Sequence, residues 1–159
     1  MKTAFYLLLS FAIPAVSYAE QNTVKITQQS INSYISSVND CFEKKSVECL
    51  SEKLANDVKM YIESYSGSKV STSELTKKEY IEGMANIWKS NPSYSYKQTS
   101  VKVITITSLN ATYIESVVEV VPTAKVTYEM VSESEVFVEL VNNQLVTKKI
   151  IVKSIVKTI

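Results

Sequence analysis

The chain has 159 residues with 17 lysines, 16 acidic residues and neither arginine nor histidine, for a formal net charge of +1. Duplex binding draws its affinity from clustered basic side chains, so lysines spread among acids, with no arginine to fork onto a phosphate or a guanine edge, exclude a nucleic-acid partner. With 45% hydrophobic residues, two glycines and three prolines, the composition fits one folded domain with its own core, and no repeat, low-complexity tract or linker divides it.

Met1 and Lys2 give a short positive start, Phe5 to Val16 an apolar run broken by Pro14, and Ser17-Tyr18-Ala19 a small-x-small site before Glu20. This pattern predicts a cleavable signal peptide over 1–19, cut after Ala19, and a single domain over 20–159. The apolar run is about a dozen residues, short of the roughly 20 that a membrane-crossing helix needs. No membrane span is therefore expected after cleavage. No cysteine lies at the cleavage site and no twin-arginine pair precedes it, so the expected destination is the periplasm or the exterior by a Sec-type route. Cys41 and Cys49 enter that oxidising compartment as a close pair and are expected to be bridged, a closure worth about 2.5 kcal/mol in the chain-entropy treatment. A zinc site would need two carboxylates beside those thiols, and none is expected.

From Thr27 the apolar residues Ile31, Tyr34, Ile35, Val38, Cys41 and Phe42 recur at offsets of three and four, predicting a helix that ends near Lys44-Lys45. Ser46 can cap a shorter helix with Val47, Leu50 and Leu54 inward, and the two cysteines then flank the elbow. Val58 to Tyr65 alternates as a strand, Ser66-Gly67-Ser68 turns, and Lys69 to Ser71 can return. Thr76 and Glu79 form a capping box and Leu75 and Tyr80 a hydrophobic staple, so a third helix should begin at Lys77, bury Tyr80, Ile81, Met84, Ile87 and Trp88, and stop at Asn91-Pro92.

The remainder is β. Strands near Ser95 to Leu109 and Thr112 to Val121 can form a hairpin around Asn110-Ala111, with Val101 and Val103 on the face of Val118 and Val120. After Pro122, Val126, Tyr128, Met130, Val136, Val138 and Leu140 share one parity, interrupted by Ser132 and Ser134. Those serines mark either a bulge or the polar floor of a cavity. A last strand follows Asn142-Asn143-Gln144, and its pairing should set Glu133, Glu135 and Glu139 on the same face as Lys149 and Lys153.

This element order, with the helix pair in NDCFEKKSVECLSEKL, the strand DVKMYIESY and the capped helix LTKKEYIEGMANIWKSNP, resembles the nuclear transport factor two-like or SnoaL-like superfamily, a cystatin-like α+β cone. The resemblance implies an α+β fold with three N-terminal helices packed in the concave face of a strongly curved, mainly antiparallel sheet. It also implies a pocket between sheet and helices, for which the candidate residues are Tyr61 or Met60, Tyr80, Met84, Trp88, Tyr128, Met130, Ser132 and Ser134. The same side chains could instead fill the core.

The family's catalytic arrays do not carry over. Dehydratase members use histidine and epoxide-hydrolase members use arginine, and both residue types are absent here. Isomerase members need aspartates, but Asp40 and Asp57 are the only two and fall at predicted helix ends. Two glycines leave no glycine-rich phosphate loop and no G-x-S-x-G elbow, and the glutamates fall mostly on polar parities. The expectation is a non-enzymatic exported domain without a cofactor, a homodimer or a module for a small apolar ligand or an envelope or secreted protein partner. Tyr94, Tyr96 and Tyr113 are expected near interfaces. The alternative is an enzyme of the same fold using a buried glutamate and a tyrosine.

Overall fold

The computed structural model describes residues 24–159, so the expected signal peptide and its cleavage site after Ala19 lie outside the described residues. Thr27 caps α1 (Gln28–Glu43): its hydroxyl accepts from the Ser30 amide while the Ser30 hydroxyl accepts from the Thr27 amide. Two donors that the first helical turn would leave orphaned are thus satisfied locally. Ile31, Tyr34, Ile35, Cys41 and Phe42 are buried along the expected face. Lys45, in the left-handed region at φ 51°, turns the chain, and Ser46 caps α2 (Val47–Lys53).

A Cys41–Cys49 disulfide ties α1 to α2 across the elbow, with the Cα atoms 5.4 Å apart. Tyr34 adds a second tie. Its hydroxyl donates to the Lys53 carbonyl at 2.7 Å and lies 2.8 Å from the Thr147 hydroxyl of the sheet. Burial pushes this phenol up to about 12. The angle between the two helices, and their seat on the sheet, are therefore fixed by one covalent bond and one buried polar junction.

β1 (Leu54–Ser66) starts directly after α2, and β2 (Lys69–Thr76) returns around Gly67-Ser68, with Gly67 at φ 58° where a side chain would be strained. The return strand is longer than expected because it pairs with β1 from Lys69 to Thr76. The capping box of Thr76 and Glu79 then opens α3 (Lys77–Ser90). Leu75 and Tyr80 on either side of that cap pack against Leu54, Ala55, Val58 and Met60.

Four long strands complete the chain: β3 (Ser95–Ile106), β4 (Asn110–Pro122), β5 (Thr127–Val141) and β6 (Gln144–Thr158). The sheet order is β2-β1-β6-β5-β4-β3, antiparallel except for the parallel β1–β6 pair. It is curved and open, with the helices against its concave face.

Two registers differ from expectation. The β3–β4 turn is Thr107-Ser108-Leu109, because the Thr107 hydroxyl accepts from the Asn110 amide at 2.9 Å and the Ile26 amide binds the Ser108 carbonyl at 3.0 Å. Val103 therefore lies opposite Tyr113 and Val101 opposite Glu115, not on the face of Val118 and Val120. Between β5 and β6, Glu133 meets Lys153 and Lys149 shares that face opposite Phe137, as expected; the difference lies in the loop, which is Asn142-Asn143 alone with Gln144 already paired to Val141, and an irregularity between Phe137 and Val138 restores the expected register. Glu139 meets Lys148 at 3.8 Å, and the same lysine holds Asp57 at 2.7 Å. Asp57 belongs to β1, not to a helix end.

Candidate functional site

Strand register arranges the concave face in rows, since directly opposed residues share a face. One row reads Tyr113, Val136, Ile150, Met60; the next reads Glu115, Ser134, Val152, Ile62. Then come Val117, Ser132, Ser154, Ser64, and finally Glu119, Met130, Val156. Beneath the helices these rows floor a cavity of about 290 Å³ whose roof includes Val38, Phe42, Leu50, Tyr80, Met84 and Ile87.

Of the candidate pocket residues, Tyr80, Met84, Met130, Ser132 and Ser134 line this cavity, as does Met60. Tyr61 does not. Alternation along β1 sends it to the convex face, beside Ile151 and under the Lys149 ammonium. Trp88, one turn past Met84, packs in the core with its ring edge-on to Phe42 at 6.0 Å, and its buried Nε1 has no partner among the described residues. Tyr128 sits at the start of β5, 37% exposed, opposite Thr158 near the end of β6. Strand pairing runs unshifted through Ser132 and Ser134, so they mark a polar floor and not a bulge. Their neighbour Ser154 bonds Ser64 at 2.8 Å.

Two functional candidates escaped the sequence reading. Alternation along β4 turns Ala111, Tyr113, Glu115, Val117 and Glu119 toward the helices, with Ala111, Tyr113 and Val117 buried. The apolar set Ile114, Val118 and Val120 consequently lies on the convex side. Glu115 and Glu119 thus line the cavity, four residues apart on one face. Burial raises the pKa of both; Glu119 adds to the rise at Glu115, while hydrogen bonds from Gln98 and Tyr94 act in the opposite sense.

Each carboxyl is held by a donor. Tyr94 donates to Glu119 Oε1. Glu115 Oε2 accepts from Gln98 Nε2 at 2.6 Å, Gln98 Oε1 accepts from Asn39 Nδ2 at 2.7 Å, and Asn39 Oδ1 accepts from Tyr96 at 3.2 Å. The polarity of this relay runs from Tyr96 through α1 and β3 to Glu115, which can only accept at its end. Tyr94 and Tyr113 are buried and Tyr96 stacks on Phe42 with centroids 4.3 Å apart, so all three are interior groups and not interface residues. Burial, then the two glutamates, pushes the Tyr80 and Tyr96 phenols above their ordinary range. Among the described residues no group of three or more His, Cys, Asp or Glu side chains is placed to hold a metal.

No family model and no curated protein matches the sequence. Solved structures match its shape. A hexachlorocyclohexane dehydrochlorinase, LinA type 3 from Novosphingobium barchaimii, is 10% identical and covers 82% of this chain and 88% of its own, with a TM-score of 0.60. A LinA type 2 dehydrochlorinase is 11% identical over 82% of this chain and 90% of its own, with a TM-score of 0.65. A domain of unknown function with a cystatin-like fold from Nostoc punctiforme is 12% identical over 80% and 78%, with a TM-score of 0.61. The chain has the cystatin-like, SnoaL-like fold. At such identities the likeness fixes architecture and leaves activity to the site.

In this cystatin-like fold the concave face combines apolar walls, a hydroxyl floor, two desolvated carboxyls and buried phenols. Such a set can orient a small apolar molecule by its polar group, or move a proton to or from it. The convex face carries a different pattern. Val70, Tyr65, Ile155, Val131 and Val118 form one row across five strands, and Val70 and Ile155 are more than half exposed, at 55% and 52%.

Proposed function

We propose that the protein is an exported binding domain whose concave cavity takes up a small, largely apolar molecule through Tyr80, Met84, Met130, Ser132 and Ser134. The observation that carries this reading is the cavity of about 290 Å³, apolar on its walls and polar at a few convergent points. Export is supported by the Met1–Ala19 pattern and by the disulfide between Cys41 and Cys49, which suits an oxidising compartment. Self-association through the convex row is supported by its continuity across the sheet.

Native mass spectrometry of the protein recovered from its exporting cell tests the reading. The expected spectrum has a mass beginning at Glu20, an intact disulfide, a dimer and an additional small molecule that leaves on activation. A protein free of any such adduct, which also fails to take up an apolar dye, would contradict it.

A second reading, proton transfer, is favoured by one observation: Glu119 is desolvated and bonded to Tyr94 in a cavity that also presents the Tyr80 phenol. A carboxyl whose pKa burial has raised toward neutrality is suited to act as general base or acid. Deuterium exchange of a bound carbonyl compound at its α-carbon, lost in Glu119→Gln, would distinguish it from binding alone.

A further inference from the structure

The charged side chains lining the cavity are Glu79, Glu115, Glu119 and Lys53, three acids against one base. Glu79 is occupied by its capping box at the start of α3. Lys53 ends α2 and forms no ion pair with Glu115 or Glu119. Each of the two glutamates already accepts one bond, from Gln98 or from Tyr94. Glu115 Oε1 and Glu119 Oε2 have no protein donor among the described residues.

The donors that are present favour the ionised form of both carboxyls, against the effect of burial. Gln98 donates its amide to Glu115 while its oxygen accepts from Asn39. Glu115 is therefore offered an N–H and Glu119 an O–H, and each bond is strongest to an ionised acceptor. When ionised, such a pair in an apolar cavity, with no ion-paired cation among the described residues, is costly for the protein and attractive to a cation from outside.

Resting on the reading of this cavity as a ligand site, we infer that its ligand is a protonated organic amine with an apolar body, the ammonium paired with a carboxylate of the β4 wall, Glu115 or Glu119, and the body against Met84, Met130 and Ile150. The ammonium N–H groups meet the free oxygen of the carboxylate they reach. The hydroxyl floor of Ser132 and Ser134 remains available to any further polar group on the same molecule.

Isothermal titration of the exported protein with three probes of one shape tests this: 4-phenylbutylamine, 4-phenylbutanol and 4-phenylbutyrate. The amine is expected to bind at least about tenfold tighter than the alcohol, the order set by a hydrogen bond to a charged group, and the acid to bind weakest. The amine preference should vanish in Glu115→Gln/Glu119→Gln while alcohol binding persists, which reports that the variant cavity is folded. Alcohol binding equal to that of the amine, or a preference that survives the double substitution, would overturn the ammonium assignment and leave the cavity reading standing. Failure of all three probes to bind would overturn both.

Discussion

Tyr94 donates its hydroxyl hydrogen to Glu119, joining the segment after α3 to the concave face of β4 and fixing one carboxyl at the cavity wall. The bond opposes the effect of burial on that carboxyl without removing it. The site is thus built from a desolvated acid and the phenol that holds it, on two different elements.

Burial raises the pKa of Glu115 and Glu119 above their values in the unfolded chain. The folded form then keeps protons that the unfolded form releases, so the stability these groups contribute is present below the ordinary glutamate range and is lost as pH rises through their folded values. Asp57 and Glu79 are shifted down by Lys148 and by Thr76, and act in the opposite direction at lower pH. Calorimetric melting of wild type against Glu115→Gln/Glu119→Gln isolates the first pair. The variant is expected to gain on wild type steadily from about pH 4, the usual glutamate range, toward neutrality; a constant difference would show that neither carboxyl is desolvated.

The disulfide spans eight positions, and Cys41 is fully buried. Replacing both cysteines by alanine is expected to cost about 2–3 kcal/mol on the loop-entropy scale, read as a lower urea midpoint. The fold should remain, because Tyr34, Lys53 and Thr147 still join both helices to the sheet.

Gly83 lies in the interior of α3, borders the cavity, and has open space where a Cβ would sit. Gly83→Ala is expected to raise stability by about 0.5–1 kcal/mol, the helical penalty of glycine. Gly83→Trp should reach into the cavity mouth and block uptake without unfolding the domain. Uptake unchanged in the tryptophan variant would place the entry elsewhere.

On the convex face, Ile155 and Val131 are paired neighbours in the exposed apolar row. Ile155→Lys with Val131→Lys is expected to yield a monomer by light scattering while leaving the melting profile cooperative. A dimer of unchanged mass would move the contact off this row.

Helices were the most legible part of the sequence, because caps and apolar spacing act locally: Thr76 with Glu79 and Ser46 with Val47 and Leu50 stand where their chemistry requires. The inner face of β5 was legible for the same reason, with one parity running through Val136 and Val138. The cavity acids were not. On β4 the convex residues Ile114, Val118 and Val120 are more apolar than the concave Glu115 and Glu119, so hydropathy alone points the strand the wrong way. Its facing is decided instead by Ala111 and Tyr113, which bury against Ile31, Tyr34 and Ile35 of α1, and by the Thr107 turn that sets where β4 begins. Tyr61 was misplaced by a smaller effect, since adjacent Met60 took the inward position.

Cleavage after Ala19 would remove Met1 and leave Met60, Met84 and Met130, all of which line the cavity. Methyl resonances of these methionines, followed while an apolar ligand is added, test cavity binding most directly. Saturable shifts at all three, absent in Gly83→Trp, are the expected result; a ligand that binds while leaving the three methyl groups unmoved would contradict it.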